Sequence, residues 1–218
     1  MSQTTPAPQS QTYHSHVRSD VFPFLPKGGT LLDIGGGDGA TASAIKERGL
    51  ADRVGVADMV KPAPHAKLDF DYQGDLTGEG FIERIGEEQG PFDTILACDI
   101  LEHFTDPWTI VERLHAQLKP GGSLVASIPN IRHHSVSLKL LAGGDFTYTE
   151  SGILDRTHLR FFVRETAKKL MESSGLKIRD VAPLPSGRRI DHALMKLPFA
   201  GLHSLAALQY AIRAERVD

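Results

Sequence analysis

From Thr30 onward the chain alternates short apolar runs with helix-like stretches, and this alternation narrows its possible folds more than any other feature. TLLDIG (30–35), RVGVAD (53–58), KLDFDYQGDL (67–76), FDTILACD (92–99) and SLVASIPN (123–130) contain five strands. Between them ATASAIKERG (40–49) and FIERIGEEQ (81–89) read as helices. Asp106-Pro107 opens another helix, as an N-cap followed by a first-turn proline. Its spacing predicts burial of Trp108, Val111, Leu114 and Leu118, with Pro120-Gly121-Gly122 as the stop. Strands that alternate with helices imply an α/β fold, a parallel sheet with helices on both faces. Further on, SVSLKLLAGG (135–144) and RETAKKLMESSG (164–175) look like helices closed by glycine. LKIRDVAPL reads as a late strand, and LQYAIRAERV as a strand or a helix.

Ligands of such sheets sit at the carboxyl ends of the strands, where the strand order reverses. Those ends carry Asp33, Asp58, Asp75, Asp99 and Asn130, four carboxylates in five positions. The first strand runs into LLDIGGGDGA, where Gly35-x-Gly37-x-x-Ala40 fits a loose dinucleotide pattern. A tight strand-to-helix turn without a ligand explains the glycines equally well. Electrostatics separates the candidate ligands. A dinucleotide would set two phosphate charges beside Asp33 and Asp38, with no Lys or Arg in the loop. At a few ångströms in a partly buried site, such repulsion costs on the order of kilocalories per mole. A ligand with a cationic end and no phosphate, such as S-adenosylmethionine, avoids that cost. Asp33 can then accept from its ammonium, Asp58 is placed for ribose hydroxyls, and Asp75 can accept from the adenine amino group.

LLDIGGGDG, VGVAD, GDL, FDTILACDILEH and the glycine turn before SLVASIPN together resemble the class I S-adenosylmethionine-dependent methyltransferases, over roughly residues 27 to 182. CDILEHFTDPW, SIPNIRHH and GGDFTYTESGILDRTHLRFF look like a bacterial subgroup acting on small molecules, often beside glycosyltransferases. The subgroup is distantly similar to ubiquinone-type O-methyltransferases. The resemblance implies a Rossmann-like seven-stranded sheet, mostly parallel, with the last strand antiparallel, which makes LQYAIRAERV a strand. It gives Asp33, Gly35, Gly36, Gly37 and Gly39 to the methionine part of the cofactor. Asp58 and Met59 go to ribose and adenine, Asp75 and Leu76 to adenine, Asp99 and Ile100 to the methyl side. VGVAD has one residue more than the common spacing before Asp58. The implied organisation is a disordered lead-in over residues 1–12 and one methyltransferase domain over 13–218, with an acceptor-pocket insertion around 131–163.

A hydroxyl acceptor must lose its proton as it attacks the methyl, and an imidazole suits that role. His103, just past Asp99, is the first candidate base; packing of the Glu102-His103 turn is the plainer reading. His158 is the second, with Asp155 as a group able to orient it. His133, His134, Arg156 and Tyr148 are candidates for the acceptor side, although tandem histidines are also common on surface loops. GILDRTHLRFF (152–162) mixes charge with five large apolar residues. It is expected to pin itself by the apolar ones while Asp155, Arg156 and His158 face the acceptor. The alternative is a surface connector in which Asp155 pairs with Arg160. His103, His133, His134, His158, Asp99 and Asp155 are also possible metal ligands. They form no tight ligand motif, and no metal is expected.

The remaining composition sets bounds. Net charge is −3 over 218 residues, with no long basic run, so a nucleic-acid partner is not expected. The single cysteine, Cys98, rules out an internal disulfide and reads as a packed thiol. No membrane span is expected, because Lys196, Pro198, His203 and Gln209 interrupt the most apolar late stretch. A cytoplasmic setting is the expectation. Phe22 and Phe24 read as core, and Arg188-Arg189 as solvated. Tyr13, His16 and Arg18 read either as a lid over the cofactor or as a mobile tail. Two rival functions stand beside methyl transfer to oxygen of a small or carbohydrate-linked acceptor: an NAD-dependent oxidoreductase and a non-enzymatic cofactor-binding module.

Overall fold

Each apolar run before residue 130 folds as a strand; a helix joins the first to the second, the third to the fourth and the fourth to the fifth, while a helix-free connection joins the second to the third. In the computed structural model, residues 17–197 and 200–217 are described. The lead-in, Tyr13, His16 and Pro198 lie outside them. The strands are β1 (Thr30–Ile34), β2 (Arg53–Asp58), β3 (Phe70–Gln73), β4 (Phe92–Cys98), β5 (Leu118–Pro129), β6 (Lys177–Pro185) and β7 (Ala207–Glu215). They form one sheet in the order β3-β2-β1-β4-β5-β7-β6. Only β7 runs against the others, paired antiparallel with β5 and β6. The order reverses between β1 and β4, which are parallel neighbours, so the ligand crevice opens above their carboxyl ends.

Alternation along the strands divides the core. Leu32, Ile34, Ile95, Ala97, Leu124 and Ala126 face α2 (Phe81–Gln89), α3 (Pro107–Ala116) and α5 (Arg164–Glu172). Leu31, Val54, Val56, Leu96 and Val125 face α1 (Ala40–Glu47) and the 3₁₀ turn Ser19–Phe24. Asp33 shares the parity of Leu31, so its carboxylate enters the α1 side of the sheet rather than solvent. The other helices are α4 (His134–Gly143), α6 (Arg189–Met195) and α7 (Ala200–Ala206). Among the described residues no helix is long and apolar enough to cross a membrane.

Several expectations needed correction. Trp108 is 46% exposed, with the Arg160 guanidinium 5.9 Å from its ring centre. The buried stripe of α3 is Pro107, Ile110, Val111 and Leu114, and Trp108 lies one residue off it. Leu118 is buried as the first residue of β5, which runs on through Pro120-Gly121-Gly122. Phe22 and Phe24 are only partly buried; Val21 and Leu25 fill the core from that turn. Arg188 and Arg189 are exposed, as expected. The interrupted apolar stretch 194–212 holds the end of α6, the short helix α7 and the first part of β7. Val163 stands at the N-cap of α5 without an acceptor side chain, and the Thr166 hydroxyl accepts from its N–H at 3.0 Å instead.

Candidate active site

The glycine loop between β1 and α1 is a cradle that side chains would fill. Gly35, Gly37 and Gly39 adopt φ of 68°, 56° and 84°, which glycine takes without strain. A Cβ on Gly35 would meet Ile100 Cγ1 at 2.7 Å, and one on Gly36 would meet the Asp33 carboxyl carbon at 2.8 Å. The loop therefore touches both the end of β1 and the turn after β4. Asp58, at the end of β2, closes the third side: it accepts from Gly37 N–H and Val60 N–H, each at 2.8 Å. The extra residue in VGVAD does not displace Asp58 from the loop.

Asp33 is 2% exposed, and its Oδ2 has no hydrogen-bond partner. Burial, reinforced by the Asp58 charge, pushes its carboxyl up to about 8. A buried acceptor of this kind calls for a cationic donor. Asp75 spends its Oδ1 on the Thr77 N–H and hydroxyl. The Leu76 side chain packs in the α3-side core, and Met59 is 70% exposed.

Asp99 has φ of 49°, unusual for a residue with a side chain, and turns its carboxylate away from the strand. It pairs with the Arg18 guanidinium and accepts from the Ser127 hydroxyl at 3.2 Å. Arg18 also donates to Gln209 Oε1 at 2.8 Å, and its backbone N–H donates to the Thr41 hydroxyl. Of the two readings of Arg18, the structure shows an ordered side chain that joins the segment before β1 to the ends of β4 and β7. The Cys98 thiol is held well above its ordinary range by burial.

The turn Leu101–His103 and the segment 152–162 form a second wall. Leu159 N–H and Arg160 N–H both donate to the Glu102 carbonyl, at 2.9 and 3.0 Å. The His103 Nδ1 lies 3.2 Å from the Thr157 carbonyl oxygen, and the His158 Nδ1 lies 2.9 Å from that of Ile153. The rings meet edge to face with centres 4.7 Å apart. Burial, then the His158 ring, lower the His103 pKa. Behind them Glu102 is 1% exposed with neither carboxyl oxygen hydrogen-bonded, and His158 Nε2 is 3.9 Å from its Oε1. Burial, then the charge of Asp99, drive the Glu102 carboxyl well above the usual range. Sequence reading missed Glu102, which it left as part of a turn.

Segment 152–162 differs in part from expectation. Ile153, Leu154 and Phe162 are buried pins, but Leu159 is 50% exposed. His158 turns inward, Arg156 points outward to Glu150 at 2.9 Å, and Arg160 donates to the Thr105 carbonyl. Asp155 neither bonds the His158 ring nor pairs with Arg160; its Oδ1 accepts from Thr157 N–H and hydroxyl. Against the effect of burial, those bonds hold it below the usual carboxylate range.

A cavity of about 340 Å³ adjoins this wall, lined in part by Ile153, Leu154, Val136, His133, Lys139 and Arg188. Tyr148 stands outside it, packed on Phe146 and Phe161. The tandem histidines are not on a surface loop. His133 is 1% exposed as the N-cap of α4, and His134 Nε2 lies 2.7 Å from Oδ1 of the buried Asp191. Asp191 carried no signal in the sequence, because it occupies one turn of a short charged helix.

A seven-stranded sheet with only its last strand reversed, a glycine cradle ringed by strand-end acids and a buried carboxylate awaiting a cation define a class I S-adenosylmethionine-dependent methyltransferase. The methyltransferase domain family model matches residues 9–181, and the chain belongs to that family. The ubiquinone biosynthesis O-methyltransferase of Pseudomonas paraeruginosa (strain DSM 24068 / PA7) is 30% identical over 72% of this chain and 68% of its own. The tRNA 5-carboxymethoxyuridine methyltransferase of Escherichia coli O157:H7 is 26% identical over 68% of this chain and 62% of its own. Among solved structures, the 1,6-didemethyltoxoflavin-N1-methyltransferase of Burkholderia thailandensis, with its substrate and S-adenosylhomocysteine, superposes with a TM-score of 0.58. That likeness covers 92% of this chain and 78% of that one at 17% identity, and speaks for the fold. Family membership selects methyl transfer over the two rival functions.

Proposed function

We propose that the chain methylates an oxygen of a small acceptor, carbohydrate-linked acceptors included, with His103 as the general base. The observation that carries the reading is the His103–His158 pair, one ring partly exposed and the other buried near Glu102, at the exit of β4. The residues fit S-adenosylmethionine. Asp33 Oδ2 is a buried acceptor for its ammonium, the glycine backbone admits its methionine part, and Asp58 stands at the strand end suited to ribose hydroxyls. When bound, this cofactor supplies an electrophilic methyl on a sulfonium whose thioether leaves neutral and needs no acid.

The protein's task is then alignment and proton removal. Donation from His103 Nδ1–H to the Thr157 carbonyl fixes one tautomer and leaves the Nε2 lone pair for the acceptor's proton. Its lowered pKa keeps it neutral at physiological pH, the state a base requires. The segment 131–163 holds the acceptor, with the cavity beside Ile153 and Leu154 as its pocket and Lys139, Arg188 and His133 as the polar contacts. The relative named for ubiquinone biosynthesis supports an oxygen acceptor.

The test is His103→Ala, assayed by methyl transfer from labelled S-adenosylmethionine to a panel of phenols, sugar hydroxyls and carboxylates. Turnover should fall about 10²–10⁴-fold, with cofactor affinity measured by calorimetry unchanged. An equal loss in both quantities removes His103 from the role of base.

A further inference from the structure

A second buried cluster lies outside the proton-transfer site. His133 and His134 open α4, and Asp191 lies 57 residues further along in α6. One oxygen, Asp191 Oδ1, faces both rings, at 2.7 Å from His134 Nε2 and 3.4 Å from His133 Nε2. The ring centres are 4.2 Å apart. Asp191 is 0% exposed, and its other oxygen accepts from the Ser186 N–H and hydroxyl. His134 takes the good hydrogen bond, which leaves His133 Nε2 buried and unpartnered. Buried polar atoms are almost always hydrogen-bonded, so this orphaned ring nitrogen asks for an explanation.

We infer that His133, His134 and Asp191 form a binding site for a divalent transition metal of the zinc type, with Nε2 of each ring and Oδ1 of the carboxylate as ligands. The ligand atoms all lie within 4.8 Å of one another. A tetrahedral ion with bonds of about 2.0–2.1 Å sets its ligands about 3.3 Å apart. The two distances to Oδ1 bracket that value, so small side-chain movements complete the site. Two imidazoles and one carboxylate suit zinc; magnesium and calcium prefer oxygen alone.

The surroundings supply the supporting contacts. His133 Nδ1 is 2.8 Å from the Ser135 hydroxyl, which can accept a hydrogen bond from Nδ1–H in the tautomer that leaves the Nε2 lone pair free. The Ser135 backbone N–H competes for the same nitrogen at 3.3 Å, the longer of the two contacts. Ser186 fixes the outer oxygen of Asp191. His133, Ser186 and Arg188 all line the 340 Å³ cavity, so the metal stands in its wall and ties α4 to the β6–α6 connection. The site does not rest on the methyl-transfer reading, although it shares His133 with the acceptor pocket proposed above.

The probe is Co²⁺, titrated into chelator-stripped full-length protein and followed by its visible ligand-field absorption. Zn²⁺ competition and metal analysis measure stoichiometry. One equivalent should give the intense band of a tetrahedral ion, and Zn²⁺ should abolish it. His134→Ala and Asp191→Asn should each weaken binding at least 100-fold, and Ser135→Ala about 10–100-fold. Circular dichroism and cofactor calorimetry show whether each variant is folded. His103→Ala/His158→Ala should keep the band. Absence of stoichiometric binding overturns the assignment. So does a band that survives Asp191→Asn or is lost with His103 and His158, which would place the metal beside Glu102.

Discussion

Asp33 concentrates the chemistry of the cofactor cradle in one side chain. The carboxyl is pushed up to about 8 in the folded protein, against an ordinary 3.8. Between those values the native state holds a proton that the unfolded chain has released. Stability of the ligand-free protein therefore falls as pH rises from about 4 to 8. A cationic ligand favours the ionised form, so its binding at pH 7 should release about one proton. Calorimetry in buffers of different ionisation enthalpy measures that release. Asp33→Asn should abolish it, weaken the cofactor at least about tenfold, and make the free protein more stable at pH 8 than the parent. A parent protein that binds with no proton release would show that Asp33 does not receive the ammonium. The acid was legible because it lies two residues before the first glycine of the loop; its burial was legible only as strand parity. Glu102, buried to the same degree, was not, since one acid in a turn looks the same whether it faces solvent or the protein interior.

At the scale of elements, segment 152–162 is a strap whose apolar residues hold its polar ones in place. Ile153 is 7% exposed and packs with Val136 and Leu154 in a small cluster apart from the main core. Its carbonyl also faces His158 Nδ1. Ile153→Ala should therefore cost about 2–5 kcal/mol locally. Because the cluster is separate, the loss should show first as faster amide exchange over the strap and lower turnover, with cofactor affinity retained. Uniform acceleration across the sheet would mean that the strap is part of the global core. The mixture of charge and Phe in the sequence pointed to a pinned segment, and Ile153, Leu154 and Phe162 do pin it. Which way each polar residue turned was hidden, because those directions depend on partners from distant elements: Thr105 for Arg160, Glu102 for His158, Asp191 for His134. Trp108 failed for a local reason: a helical stripe is about 100° wide, and a shift of one residue carries a side chain off it.

For the whole molecule, a parallel sheet with helices on both faces was legible because strands that alternate with helices admit few arrangements, while the seven strands and the direction of β7 came from resemblance alone. The acceptor was legible only in outline. Relatives on this same core are named for ubiquinone biosynthesis and for a tRNA nucleoside, so the sheet does not choose the acceptor. What the complete fold adds is Arg18, brought from twelve residues before β1 to the ends of β4 and β7. Its side chain is 14% exposed and that of Asp99 is 21% exposed. Burial raises the Asp99 carboxyl, and the Arg18 charge opposes that rise. Removing Arg18 leaves the Asp99 charge buried and uncompensated, at a cost of about 3–5 kcal/mol; removing Asp99 costs less, because Arg18 keeps its two bonds to the Asp20 carboxylate, each at 3.0 Å. Arg18→Met and Asp99→Asn should each lower the urea midpoint. The double variant should recover about 0.5–3 kcal/mol relative to the sum of the two. Additive effects would mean that Arg18 acts through Asp20 and Gln209 instead, and that the segment before β1 is fastened to β7 rather than to the end of β4.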